Sequence, residues 1–209
     1  DVDSGGVVNT SYGVLGNGAS AIGSVMVNGG TWTDGGDLLV ALYGDGTLDI
    51  QGGGQVSNLT GYIGGGGGSA GAVIVREAGS SWANAGDLYI GGSDTLPGGA
   101  GELNVSTSGS VNVGGRLKLW SGGALDLIGG QVTTKSFDNS AGGTFSFTGG
   151  QLTVDAGTFD PGLTTLTLDG VGNPTLNLQN GAAANFTNNV IVGDSQSATL
   201  NINSNAHVT

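Results

Sequence analysis

The chain has 209 residues, of which 46 are glycine, 37% are hydrophobic and only 10% are charged. Its 16 acidic residues against 4 Lys and Arg give a formal charge of −12, which repels nucleic acid and anionic membranes and leaves too few cations to neutralise a run of phosphates. With no cysteine, disulfides and thiolate metal sites are excluded.

Glycine interrupts almost every window that could carry a 3.6-residue apolar period, so helix is not expected anywhere. What recurs instead is a triplet of hydrophobic, any and hydrophobic residues beside glycine. In chain order the copies are Val25-Met26-Val27, Leu48-Asp49-Ile50, Leu103-Asn104-Val105, Leu125-Asp126-Leu127, Phe145-Ser146-Phe147, Leu176-Asn177-Leu178 and Leu200-Asn201-Ile202. In a strand the outer letters point to one face and the middle letter to the other. The outer letters are therefore expected to stack inside, and Asp49, Asn104, Asp126, Asn177 and Asn201 outside. Stacked asparagines can share amide hydrogen bonds along such a column. Stacked aspartates must be solvated, spaced apart or bridged. No run approaches the ~20 apolar residues of a membrane span. Asp1 opens no signal peptide, so export would require that a leader had already been removed.

Three internal echoes set the architecture. Thr31-Trp32-Thr33-Asp34-Gly35-Gly36-Asp37-Leu38 returns 50 positions later as Ser81-Trp82-Ala83-Asn84-Ala85-Gly86-Asp87-Leu88. The segment from Gly122 to Val132 returns 20 later from Gly142 to Leu152, and Thr175-Leu176-Asn177-Leu178 returns 24 later as Thr199-Leu200-Asn201-Ile202. A β-sandwich has short strands but need not repeat in register. The spacing predicts a right-handed parallel β-helix (β-solenoid), all-β, with coils of about 20 residues, two or three strands in each. About ten coils at ~4.8 Å each would make a rod roughly 50 Å long. The whole chain, 1–209, is expected to be one solenoid domain or a segment of a longer array, with two tryptophan-containing repeats in 24–113. Leu48-Asp49-Ile50 and Leu103-Asn104-Val105 lie five further apart than the tryptophan pair, whereas Leu38 and Leu88 keep the offset of 50. The extra residues must lie between Ile90 and Leu103, and the turn-forming run Gly91 to Gly99 is expected to project as a loop.

Particular segments carry a family resemblance: Gly71-Ala72-Val73-Ile74-Val75, Gly79-Ser80-Ser81-Trp82, Ala85-Gly86-Asp87-Leu88-Tyr89-Ile90-Gly91, Gly101-Glu102-Leu103-Asn104-Val105 and Gly109-Ser110-Val111. Together they resemble the type V secretion and PEP-CTERM-associated repeat of bacterial autotransporter passengers and exported surface proteins. Residues 24–64 are a looser copy, and the tryptophan signature fades after about residue 115. The resemblance implies a β-helix, export and a bacterial cell-surface or extracellular setting. It brings no catalytic residue with it.

Chemistry is sparse in the sequence. A glycosidase needs two suitably spaced carboxylates, and a lyase needs a base beside a neutralising cation. Asp34, Asp37, Asp45, Asp49 and Asp87 are close enough to consider, yet the equivalent repeat positions of Asp37 and Asp87 favour turn roles. His207 has no evident partner, and Ser80-Ser81 no activating arrangement. Gly44-Asp45-Gly46-Thr47-Leu48-Asp49 superficially matches a calcium-binding nonapeptide, but Asp45 and Thr47 stand where glycine belongs. Gly64 to Gly68 lacks the Lys-Ser/Thr of a phosphate loop. No catalytic, cofactor-binding or metal-binding residue is assigned, and no enzyme activity is expected. Trp32 and Trp82 read as shared packing; Trp120 is harder to place. Thr31-Trp32-Thr33 and Thr165-Leu166-Thr167 are too isolated for an ice-binding array. The leading expectation is a surface or extracellular structural or adhesive solenoid, a passenger stalk or a fibre subunit that self-associates through its ends. The alternative is a carbohydrate-binding or polysaccharide-processing β-helix that uses aromatics and Asp along one face to hold surface glycans.

Overall fold

The computed structural model describes residues 1–209 and contains strands, turns and bends but no helix. All strand pairings between coils are parallel, and the chain winds as a right-handed β-solenoid with three faces. One complete coil illustrates the path: Ile22–Asn28 on the first face, Thr31–Asp34 on the second, Leu38–Val40 on the third. The next coil repeats this with Asp45–Gln51, Gln55–Asn58 and Gly61–Ile63.

Nine coils are present, and they are longer than the expected 20 residues. The typical coil is about 24 residues, with register partners as close as Leu125 and Phe145 and as far apart as Ala70 and Ala100. The length expectation is corrected accordingly: nine rungs at ~4.8 Å make a rod of roughly 40 Å. The 20-residue echo came from the tightest coil, where the single strand Gly123–Asp138 bends around all three faces without intervening loops. The longest coil carries the loop after Ile90, closed by a bridge between Gly92 and Pro97, as the sequence offsets required. The corner after the third face uses left-handed backbone in register: Gly16 at φ 65°, Ala41 at 68°, Gly64 at 68° and Gly91 at 78°.

The outer letters of the triplets do face inward. Leu48, Ile50, Val73, Val75, Leu103, Val105, Leu125 and Leu127 are all fully buried within one core of 34 residues. The middle letters face out, as expected; the two aspartates are spaced apart, and Asp49 is also bridged. Along the first face the column runs Met26, Asp49, Ile74, Asn104, Asp126, Ser146. Arg76 closes an ion pair on Asp49 at 2.8 Å. The asparagine ladder forms on the second face, where Asn201 donates to Asn177 at 2.8 Å and Asn177 donates to Thr153 at 3.3 Å.

The offset of 50 is two coils, alternating large and small. On the second face Trp32 pairs with Val56, which pairs with Trp82, which pairs with Val111. On the third face Gly13, Leu38, Gly61 and Leu88 alternate in the same rhythm. A Cβ on Gly61 would meet Leu88 Cδ1 at 2.8 Å, Trp82 Cζ2 at 3.0 Å and the Asn84 amide oxygen; Gly13 stands in the same relation to Leu38, Trp32 and Asp34. Each tryptophan thus occupies space left by the glycine of the preceding coil.

A polar column lies inside this part of the rod. Trp32 Nε1 donates to Thr10 Oγ1 at 2.9 Å, and Trp82 Nε1 donates to Asn58 Oδ1 at 2.6 Å. Asn58 Nδ2 then donates to Asn84 Oδ1 at 2.8 Å. Asp34 belongs to this column. It is turn-forming, accepting from the Gly36 amide, but it is buried rather than solvated. The column stops where Val113 follows Asn84 in register, and the tryptophan signature stops with it. Beyond that point phenylalanines fill the interior: Phe137 stacks on Phe159 at 5.4 Å and meets the Phe145 ring at a tilt, 4.8 Å between centres.

Candidate binding face

Outward residues of the third face form a ladder unlike those of the other two. Tyr62 pairs in register with Tyr89, Tyr89 with Lys118, Lys118 with Asp138 and Asp138 with Asp160. The Tyr62 and Tyr89 rings stack at 5.3 Å, and the Arg116 guanidinium carbon lies 5.7 Å from the centre of the Tyr89 ring. Asp87 fixes this group from the side: its carboxylate accepts from the Tyr89 hydroxyl at 2.7 Å and from the Arg116 amide at 2.7 Å. The turn role expected of Asp87 is therefore joined to a positioning role between coils. Burial, then the negative charges of Asp37 and Asp94, push the Tyr62 phenol up to about 12.

Trp120 also finds its place here. Its indole donates to the Ser93 carbonyl at 2.7 Å, so it pins the loop that projects after Ile90. Lys118 stands over its ring at 4.3 Å, a cation–π contact, and donates to Asp138 at 3.0 Å. Asp138 additionally accepts from the Ser140 hydroxyl at 2.6 Å and the Ser140 amide at 3.1 Å. Burial opposes ionisation of Asp138 most strongly, yet the donors on Ser140 and Lys118 together outweigh it and hold the carboxyl below its usual range.

Past Lys118 the outward side chains become small, and the surface drops into an open trough of about 620 Å³. Arg116 pairs with Ser136 in register, and Thr158 pairs with Ala183, which pairs with His207. Asp138 and Asp160 form one wall, and exposed Leu163 adds an apolar flank. Asp160 is bound on one side only, its Oδ1 accepting from the Gly162 amide at 2.9 Å. Arg116 is similarly underused: Nη2 reaches the Tyr89 hydroxyl at 3.5 Å, Nη1 reaches Asp138 at 3.7 Å, and buried Nε has no partner.

Comparison of the chain with family models, curated proteins and solved structures finds no match. The chemistry must be read from its own residues. Of the residues weighed for function in the sequence, Trp32 and Trp82 are core and Asp34 is interior, so none of the three presents a surface to a ligand. Asp49 is paired with Arg76 on the first face, far in register from Trp120. His207 is exposed at one end of the trough. Ser80 is buried, its hydroxyl accepting from the Gly53 amide.

The trough itself escaped sequence reasoning. Only the ladder that leads up to it had a signal, in a third series of triplets, Gly61-Tyr62-Ile63, Leu88-Tyr89-Ile90 and Leu117-Lys118-Leu119, whose middle letters are aromatic or basic rather than Asp or Asn. Aligning those three would have placed Tyr62, Tyr89 and Lys118 in one outward column.

Proposed function

We propose that this chain is a structural and adhesive β-solenoid of the bacterial cell surface or extracellular space, without enzymatic activity. The observation that carries the reading is the parallel ladder: the second and third faces are paired without a break through nine coils around one continuous core, and the first face is interrupted once, where Leu166–Leu168 pairs with Val190–Val192 but not with the preceding coil. Such an array is stabilised mainly by contacts between neighbouring coils and gives a stiff spacer of defined length. The resemblance of residues 24–113 to the type V secretion and PEP-CTERM-associated repeat supports export and a passenger-stalk setting. Inward-column side chains on the first and last coils, half-buried Val8 and Ile202 at 46%, would be covered by a second copy stacked end to end. Contacts of that head-to-tail kind propagate into filaments unless rotation closes them.

Two measurements test the proposal. Antibody labelling and protease shaving of intact cells that express the full gene should reach the solenoid; protection from both until lysis sinks the surface assignment. Negative-stain electron microscopy of the purified chain at rising concentration should reveal rods joining end to end. Uniform short rods at the highest concentration would remove the fibre version and leave the stalk version.

A second reading, carbohydrate binding, is favoured by one specific observation, the trough on the third face with its underused Arg116 and Asp160.

A further inference from the structure

We infer that the third-face trough is a binding site for a neutral polysaccharide, laid along the rod axis between Arg116 and His207. The inference supplies a ligand for the adhesive part of the function proposed above and rests on that reading only for its biological setting.

The argument begins with unspent hydrogen-bonding capacity. A guanidinium carries five N–H donors; the Nε of Arg116 is buried, but the four donors on its two Nη atoms make only long contacts, at 3.5 Å and 3.7 Å. Asp160 keeps one carboxylate oxygen beyond its turn hydrogen bond. The hydroxyl of Thr158 is exposed beside them. Donors at one end and acceptors along one wall suit a ligand that is itself both donor and acceptor at close intervals, as vicinal hydroxyls are.

Shape adds a second constraint. The trough is open, runs across several coils and has a volume of about 620 Å³, so it fits a chain rather than a compact cofactor. Rungs advance ~4.8 Å, close to the length that one sugar ring occupies in an extended glycan, so successive rings would meet successive coils. Leu163, 78% exposed, gives an apolar surface for ring C–H groups. A peptide strand would instead seek unpaired backbone, and the trough floor offers none from Arg116 to Ala184, where each strand is paired on both sides; the one free edge is that of His207–Val208, at the end of the trough.

Charge selects between neutral and acidic polymers. The chain carries −12 overall, and Asp138 and Asp160 form one wall. A polyanion would be repelled at a distance and again at contact, with Arg116 as the nearest counter-charge. Neutral hydroxyls meet no such barrier.

Affinity electrophoresis tests this on the folded chain, in gels cast with a β-glucan, a xylan, a mannan or a dextran, with polygalacturonate as the acidic control. At least one neutral polymer should retard the protein. Thr158→Trp, which fills the trough from an exposed position, and Asp160→Ala, which removes an acceptor, should each weaken retardation about tenfold or more, equivalent to ~1.4 kcal/mol. Thr133→Trp, exposed on the second face, should leave it unchanged. Circular dichroism and denaturation midpoints confirm that each variant is folded; should one unfold, the other decides. No retardation by any neutral polymer overturns the inference. So does retardation by polygalacturonate alone, or binding that survives either folded trough variant. Binding is measured on purified protein, so its failure is distinct from failure of the surface labelling.

Discussion

Trp82 helps to deny residue 61 a side chain: its Cζ2 stands 3.0 Å from where a Cβ on Gly61 would be, beside Leu88 Cδ1 at 2.8 Å and the Asn84 amide oxygen. Gly61 and Trp82 belong to consecutive coils and to different faces, so the contact ties second-face sequence to third-face sequence 21 positions earlier. Gly61→Ala should therefore destabilise by ~1–3 kcal/mol, the usual range for overpacking a tight core. Gly67→Ala, whose added Cβ would meet nothing within 4 Å, should stay within ~0.5 kcal/mol of the parent. Urea denaturation measures both. In a Trp82→Val background the penalty of Gly61→Ala should shrink, since Val is what the alternate coil carries at that position. An undiminished penalty would place the clash elsewhere.

This pairing also marks the limit of what the sequence made legible. The triplets located the core seam because strand alternation is local, and the five extra residues located the loop because register offsets are additive along the chain. The coil length was misjudged because the clearest echo, Gly122 against Gly142, lies where strands continue around the corners and loops vanish. The 50-residue tryptophan echo was two coils in disguise. Its intermediate coil replaces Trp by Val and Leu by Gly, so the two halves share shape complementarity rather than residues. The trough was harder still, because it depends on side-chain size changing between coils at one outward column.

Trp82→Phe tests the interior polar column. Phenylalanine keeps most of the ring but removes the Nε1–H that satisfies buried Asn58 Oδ1 at 2.6 Å. An acceptor left unpaired in the core costs about 1–3 kcal/mol. Trp32→Phe should cost less, because its partner Thr10 is exposed and can turn to water. Chemical denaturation of the two variants side by side should rank them in that order; equal losses would mean that ring volume rather than the hydrogen bond decides.

The acid limb of stability should carry a contribution from Asp138. Its folded-state carboxyl is held below the unfolded value, so the stabilisation is fully present above the ordinary carboxylate range and is lost as pH falls through the depressed folded value. Asp138→Asn should flatten that part of the curve and leave its shape above the carboxylate range unchanged. The alkaline limb has the opposite sign. Tyr62, pushed up to about 12 by burial and then by Asp37 and Asp94, stays neutral in the fold while the unfolded phenol ionises near 10, so stability falls across that interval. Tyr62→Phe should flatten it. Denaturation midpoints against pH, with tyrosinate absorbance as a second readout, check both.

The loop after Ile90 should be dispensable for folding but not for the surroundings of Trp120. Gly92 bridges to Pro97, Ser93 and Leu96 close the turn, and the loop's link to the third face is the Trp120 indole on the Ser93 carbonyl. Its tip residues Asp94, Thr95, Leu96 and Pro97 are exposed, so they bury little of the apolar surface that stabilises the core. Shortening the coil by five residues to match its neighbour should change stability by less than ~1 kcal/mol, the tolerance expected of an exposed loop. The released indole would then rely on water and on Lys118, 4.3 Å from its ring, while Trp32 and Trp82 remain interior. Tryptophan emission should shift to the red and quench more readily with iodide, and Trp120→Phe should abolish the difference between the long and short forms. A shortened variant that fails to fold would mean that the loop holds the rungs together rather than riding on them.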